Sequence, residues 1–436
     1  MLPEVCISRA EGRKPGGTFV KDTRERLTEN ALTASLALYA IVCPVSQSAV
    51  YVSLSLAVAA ALLLRKRAPE KSVFPEQFGL LLGVFSLFVA WQCLSMVVNG
   101  ASSFAPPLLR AWNFVPLFVL ARLPVPQERK KATAKIALFA LFLSTSIVIL
   151  VAILQEITGL VLPFKHQLFS GGVIVGFFSH HLPAGGFFST VAVLSASLFL
   201  FWETSRWVKT VLALLTLLLL LGTVLTLSRT YFVSLAVTLP LMLLRKKFGT
   251  AMWGIAAIAL LVLLAVVSLP EVKSRTASIL DLKKDPSNVE RLYLWRVAED
   301  MIRAHPVAGV GFKQWGEHVS EYTARYASEW TFSEASFHHA HDVYLTVAAE
   351  TGLVGLFLFL AFWLYLFSLT VRTASAFRSD SFVRALNLGA SYVLINLLTG
   401  GLFEENFGTL PIMHLLAFIL TLSFFVTARE PGAAVD

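Results

Sequence analysis

Apolar runs separated by short polar turns fill nearly the whole chain, and one long polar stretch, about Pro270 to Asp342, interrupts them. Several runs reach the roughly 18–20 residues that an α-helix needs to cross a bilayer. Hydropathy places about twelve spans near 30–45, 48–64, 78–98, 105–121, 134–157, 184–202, 207–227, 231–244, 250–269, 344–371, 384–402 and 409–427. The first and eighth are the shortest. The apolar signal is continuous, as in the Leu-rich run Leu212–Leu221, so a β-barrel with alternating strands is excluded.

Composition agrees. The 436 residues are 56% hydrophobic and only 14% charged, too little charge to cover a soluble protein of this size. The expected fold is an all-α polytopic membrane protein. Its parts are an N-terminal tail (1–29), nine helices (30–269), an insert with amphipathic helices (270–342), three further helices (343–427) and a short tail (428–436). No cleavable signal peptide is expected, because no apolar core and small-residue cleavage site follow a basic start. The net charge of +9 calls for no nucleic-acid partner, because the basic residues cluster in short loops on one side. Arg65-Lys66-Arg67 with Lys71, Arg129-Lys130-Lys131, Arg206 with Lys209, Arg245-Lys246-Lys247, and Arg372, Arg378 and Arg384 follow even-numbered spans. The opposite short loops are nearly free of them, Lys165 being the main exception. By the positive-inside rule both tails are cytoplasmic and the insert faces outward, into the periplasm of a Gram-negative cell. Cys6, Cys43 and Cys93 have no metal-ligand spacing and read as small buried hydrophobes.

Within the insert, Arg291 to Arg303 reads as an amphipathic helix, ended by His305-Pro306, with a turn at Gly309-Val310-Gly311. A second stretch puts Phe312, Trp315, Val319, Tyr322 and Tyr326 on one face, expected to rest at the headgroup level.

The candidate chemistry gathers where the insert returns to the membrane. His338-His339-Ala340-His341-Asp342 stands at a helix start, where the dipole favours a neutral ring able to serve as general base. The plainer reading is an interfacial anchor or a stray metal site, although the neighbouring acids fit no zinc pattern. Arg229, in Leu227-Ser228-Arg229-Thr230-Tyr231, sits at a nearly absent outward turn. It reads either as a phosphate ligand or as a snorkelling side chain. Arg291 and, more weakly, Arg110 are further cations on that side. Asp342, Glu350, His338 and Glu404 are possible supporting residues; His180-His181 and Glu405 lie on the same side.

Taken together these motifs resemble the O-antigen ligase family, which includes lipopolysaccharide ligases, O-antigen polymerases and protein O-oligosaccharyltransferases. The matching residues are Ser228-Arg229-Thr230, Arg291 with Trp295, and His305-Pro306-Val307-Ala308-Gly309-Val310-Gly311. They continue through His341-Asp342-Val343-Tyr344-Leu345 to Glu350-Thr351-Gly352-Leu353. The resemblance implies a metal-independent, inverting glycosyltransferase of the GT-C type, with no cofactor. It would move a glycan from undecaprenyl pyrophosphate to a sugar hydroxyl of lipid A–core at the periplasmic face of the inner membrane. Arg229 and Arg291, with Arg110, would then hold the pyrophosphate, and His341 would be the base, with His339 open as the alternative. The family often has Asn where this chain has Asp342.

A polymerase of the same superfamily would use the same parts. The short loop at about 158–182 favours a ligase, and the short C-terminal tail disfavours a protein-glycosylating member. A twelve-helix transporter is the alternative from another class, but it would favour repeat symmetry and midplane polar groups, and neither is visible.

Overall fold

The computed structural model describes residues 15–65, 76–101, 103, 105–123, 125–159, 173–246, 272–274, 285–326 and 338–427. The expected ninth span (250–269), Cys6, Lys66, Arg67, Lys71, Lys165, most of the 158–182 loop and the C-terminal tail lie outside these residues, as do 275–284 and 327–337 of the insert.

The apolar runs form helices α1 (Pro15–Val42), α2 (Gln47–Arg65), α3 (Glu76–Val98), α4 (Ala105–Trp112), α5 (Val115–Leu120), α6 (Gln127–Thr158), α7 (His181–Phe201), α8 (Arg206–Leu225) and α9 (Arg229–Leu243). The insert contributes α10 (Pro286–Ala304) and α11 (Trp315–Thr323), and the chain continues with α12 (Val343–Ala376), α13 (Ser381–Gly400) and α14 (Leu410–Phe425). No strand occurs among the described residues. Seven of the described helices, α2, α3, α6, α7, α8, α12 and α13, are long and apolar enough to cross a membrane. Helices α9 and α14 are apolar but shorter, with 15 and 16 residues.

Two expected boundaries differ. Helix α1 begins at Pro15, so it takes in part of the stretch assigned to a polar tail. The single span expected over 105–121 is two short helices, α4 and α5, separated at Asn113-Phe114. Pro116 is the cause: it has no N–H to donate, and its ring crowds the carbonyl one turn back, at Trp112. Hydropathy over this stretch reported apolar character, not continuity.

Helix α7 is the centre of the bundle. Every residue from Ala184 to Leu198 is buried, as expected for a helix apolar on all faces, and α7 packs on α8, α9 and α13. Buried polar side chains join the helices where no water can reach them. Ser423 Oγ donates to Asn387 Oδ1 at 2.7 Å, Ser391 Oγ to Thr370 Oγ1 at 2.9 Å, and Asn396 Nδ2 to Ser189 Oγ at 3.2 Å. Gly186 of α7 lets the Tyr231 ring lie against the helix; a Cβ there would run into the Tyr231 hydroxyl and Ile412. That close approach seats the first turn of α9, and with it Arg229.

The insert has its own core. Tyr293, Leu294, Val297, Ala298 and Met301 of α10 meet Trp315, Val319 and Tyr322 of α11 together with Val310 and Ala349. Trp315 is 0% exposed and Tyr322 2%, so the aromatic face expected at the lipid headgroups packs inward instead. The apolar period of α11 was sound. What it faces is α10, whose own apolar stripe would otherwise remain in water.

The insert is locked to the bundle through a break in α12. Gly352 has φ 72° and ψ 179°, outside helical space, and so interrupts the ladder. The carbonyls around the break find partners elsewhere. Val310 N–H donates to Ala349 O and Gly311 N–H to Glu350 O, both at 2.9 Å, while Trp91 Nε1 donates to Thr351 O at 2.8 Å. Leu353 N–H in turn donates to Pro306 O at 2.8 Å, and Ser95 Oγ bridges the Ala308 and Glu350 carbonyls at 2.7 and 3.0 Å. The His305–Gly311 segment is therefore a backbone plug that fits the break. Only glycine adopts the Gly352 conformation readily, and a Cβ there would also meet the Val307 carbonyl. Gly352→Ala is expected to lower the melting temperature of the purified protein by several degrees and abolish activity. Gly83→Ala, in α3 with open space around it, is expected to be neutral or mildly stabilising. Equal melting temperatures for the two variants would refute the plug as a structural requirement.

Candidate active site

Asp342 is the N-cap of α12: its carboxylate accepts from Leu345 N–H at 2.8 Å, and its carbonyl accepts from Thr346 Oγ1 at 2.7 Å. Thr346 Oγ1 also accepts from Ala340 N–H at 3.1 Å, and Val343 N–H reaches Gly401 O at 2.8 Å. The start of α12 is thus pinned to the end of α13. Just before the cap, His341 adopts φ 51°, a left-handed conformation unusual for a side chain of its size. Such strain persists only where the surroundings impose it.

That conformation accompanies a ring turned toward the α13–α14 connection. His341 Nδ1 lies 3.2 Å from Glu404 Oε2. The carboxylate only accepts, so Nδ1 carries the proton in this pair and Nε2 is left as the basic nitrogen. From the sequence, the helix dipole is expected to set the ring's state. In the structure Asp342 occupies the cap, and a carboxylate orients the ring instead. His339 Nδ1 accepts from the His341 backbone N–H at 3.1 Å, and the two rings meet edge to face at 4.4 Å. His339 braces the turn; burial lowers its pKa, against the opposing charges of Glu405 and Glu404. His338 is exposed and stands outside the cluster.

Glu404, 5% exposed, is the hub of the site. Arg291 Nη2 lies 4.0 Å from the same Oε2 that meets His341. Burial alone would push the Glu404 carboxyl up; the His341 hydrogen bond and the charges of His341, His339 and Arg291 outweigh it and hold the pKa at about 2. His180, the N-cap of α7, also feels this carboxylate, although burial dominates and lowers its pKa.

Arg229 and Arg291 come together at the Ser287 hydroxyl. Arg229 Nη2 donates to Ser287 Oγ at 2.7 Å and to Asp285 Oδ1 at 3.1 Å, and Arg291 Nη1 donates to Ser287 Oγ at 3.2 Å. Asp285 also caps α10, accepting from Ser287 and Asn288 N–H. Both guanidiniums are thus held beside the same helix start, with Arg291 reaching on toward Glu404. Arg110 is not brought to this point. It donates to Gly408 O at 2.7 Å and lies over the Phe312 ring at 5.3 Å, on the side of Glu405. Glu405 pairs with Lys313 Nζ at 2.9 Å; burial raises its pKa, but Lys313, His339 and Arg110 together draw it below the usual range. Glu350 is buried in the break of α12, 2% exposed, and its backbone carbonyl receives Gly311 and Ser95.

Sequence reasoning did not find Ser287, Asp285 or Lys313. The Asp285-Pro286-Ser287 start carries a readable cap signal, an acid followed by Pro at the first helical position, but nothing that marks a junction of two arginines. Glu405 had been placed only on the right side. As for a metal, ligand atoms of His339, His341 and Glu404 lie within 4.8 Å of one another, a donor set that a divalent cation accepts. Two features oppose that use: Arg291 sits beside the shared carboxylate oxygen, and His339 Nδ1 is engaged by backbone.

Residues 212–360 match the family model described as O-antigen ligase. The resemblance drawn from the motifs is therefore shown, over the stretch that carries Arg229, Arg291, His338, His339, His341, Asp342 and Glu350. Members of this family are glycosyltransferase-like ligases and polymerases of membranes. Arg110 and Glu404 fall outside the matched stretch. No curated protein matches the chain.

Asp342 supplies a test of the local geometry. Burial pushes its carboxyl from 3.8 up to about 6, against the pull of the Leu345 and Tyr344 N–H groups. A carboxyl with a raised folded-state pKa binds more protons folded than unfolded across that window, so it costs stability as pH rises through it. Asn keeps the cap acceptor and removes the titration. Asp342→Asn should melt with the parent near pH 4 and several degrees above it at pH 7.5, the gap corresponding to about 3 kcal/mol at most. A gap that does not change with pH would contradict the buried-cap assignment.

Proposed function

We propose that the chain is a metal-independent, inverting ligase. It transfers a glycan from undecaprenyl pyrophosphate to a sugar hydroxyl of lipid A–core. One observation carries the reading: the base candidate His341 and the cation Arg291 share the Glu404 carboxylate, and Arg291 shares the Ser287 hydroxyl with Arg229. A proton acceptor and paired guanidiniums then stand in one continuous cluster, which is what displacement of a pyrophosphate by a hydroxyl requires.

In this scheme the acceptor hydroxyl gives its proton to His341 Nε2 as its oxygen bonds to the anomeric carbon. Glu404 holds the Nδ1–H and stabilises the imidazolium that forms. The anomeric C–O bond to the pyrophosphate breaks on the opposite face, which inverts the configuration. The electron pair leaves with the pyrophosphate, whose growing charge Arg229 and Arg291 neutralise. The planar guanidinium suits this task, because its fork matches two phosphate oxygens at once. His339 supports the His341 backbone and Asp342 fixes the helix start; neither is given a proton to move.

Placement in the bilayer supports the same scheme. The site gathers the start of α7, the start of α9, the start of α12 and the α13–α14 connection. The basic loops gather at the other ends of these helices, where Lys131 pairs with Asp380 at 2.8 Å and Lys246 reaches the Leu200 carbonyl. By the positive-inside rule that end is cytoplasmic, and the site faces the periplasm of a Gram-negative inner membrane. Both substrates are lipids anchored at that surface.

The test uses purified protein with lipid-linked donor and lipid A–core. Wild type should make the glycan–core product in the presence of chelator. His341→Ala should lose about 10²–10⁴ in rate. Arg229→Ala and Arg291→Ala should be inactive, with Lys rescuing poorly. Activity abolished by chelator and restored by a divalent cation would overturn the scheme. A product built only by joining two lipid-linked glycans would make the protein a polymerase.

A further inference from the structure

At the opposite end of the bundle from His341 lies a groove of about 390 Å³ between α6, the end of α7 and α8. It is lined by Phe139 and Phe142 of α6, Trp207 of α8, and Trp202 and Phe382, with Lys135 at one end. The groove is open to the surroundings: Phe139 is 68% exposed and Trp207 75%. Helix α7 starts at the His180–Glu404 side and ends at this groove, so its 21 residues set the two sites about 30 Å apart, close to the thickness of a bilayer's hydrocarbon core. The groove takes no part in the transfer chemistry.

Three observations define an occupant. The first is length. Lys135, Phe139, Phe142 and Ser146 lie on one face of α6, and from Lys135 to Ser146 the helix rises about 16 Å, roughly the depth of one leaflet. The second is charge. Lys131, one turn earlier, is occupied by Glu128 at 2.6 Å and Asp380 at 2.8 Å. Among the described residues no carboxylate lies within ion-pair distance of Lys135; its ammonium rests over the rings of Phe382 at 5.1 Å and Trp202 at 5.4 Å. Arg206 and Lys209 in the first turn of α8 add positive charge beside Trp207, while Glu203 is the nearby acid not occupied by Lys131. The third is chemistry: an otherwise apolar trough ends in one cation at the level of the basic loops. Amphipathic rings of Trp beside a Lys suit the headgroup boundary of a membrane.

We propose that this groove binds one anionic phospholipid of the leaflet opposite the active site. Its phosphate sits on Lys135 and an acyl chain runs along Phe139 and Phe142 toward Ser146. A zwitterionic phospholipid fits the trough equally well but brings its own cation to Lys135, so the site discriminates by headgroup charge.

Native mass spectrometry of the full-length protein, in detergent with equal amounts of phosphatidylglycerol and phosphatidylcholine of identical acyl chains, tests this. Wild type should retain phosphatidylglycerol in preference. Lys135→Gln should cut that preference about fivefold, while Lys135→Arg keeps it. Arg378→Gln, which removes a charge from the same end of the bundle but outside the groove, should leave it intact. Inorganic phosphate at millimolar concentration should not displace the lipid. Equal retention of the two lipids by wild type, full preference in Lys135→Gln, an equal loss in Arg378→Gln, or displacement by phosphate would each overturn the proposal. The melting temperature of Lys135→Gln should match wild type, which separates loss of the site from loss of the fold.

Discussion

The insert's whole contribution to the candidate site depends on how a broken helix is repaired. The interruption at Gly352 leaves the carbonyls of Ala349, Glu350 and Thr351 without helical partners, at a depth where unpaired backbone is costly. Val310, Gly311 and Trp91 supply the missing donors. This repair fixes the insert against α12 and α3, and from that follow the position of α10, of its first turn, and of Arg291. The same segment continues into Lys313, whose φ of 61° sends its side chain to Glu405. Hydrogen bonding that a membrane helix cannot forgo has become the device that aligns the insert with the bundle.

Two adjacent carboxylates then divide the site. Glu404 faces His341 and Arg291; Glu405 faces Lys313, with Arg110 beyond it. Both are buried, and each is compensated by cations rather than left to protonate, as a buried carboxylate must be. Because His341 and Arg291 share Glu404, movement of either during the reaction changes the electrostatics felt by the other. The proposed base and the proposed leaving-group clamp are thereby coupled through one side chain.

Much of this was legible in the sequence. The all-helical membrane architecture followed from continuous apolar runs, and the motif positions Arg229, Arg291, His339 and His341 all lie in the cluster. The missing parts have physical reasons. Glu404 was named as a possible supporting residue, but not its pairing with His341: the two are 63 residues apart, and no local pattern announces that a loop acid will meet a particular ring. Pro116 broke an apolar run that hydropathy read as one helix, since hydropathy averages over a residue that lacks a donor. The Trp315–Tyr322 face showed the right period, but periodicity says which residues are buried and not what buries them. Left-handed backbone at His341 and Lys313 is set by tertiary contacts, so neither residue type discloses it.

The coupling of His341 to Glu404 is the centre of the proposed mechanism, and a double-mutant cycle on the transfer rate measures it directly. His341→Ala and Glu404→Gln are each compared with the double variant in purified enzyme, with folding checked by melting temperature. If Glu404 acts chiefly through His341, the double variant should be far less slow than the product of the two single effects, because the carboxylate has no base left to orient and keeps only its contact with Arg291. Losses that multiply, with the double variant slower by the product of the two single effects, would contradict the dyad and make Glu404 an independent contributor.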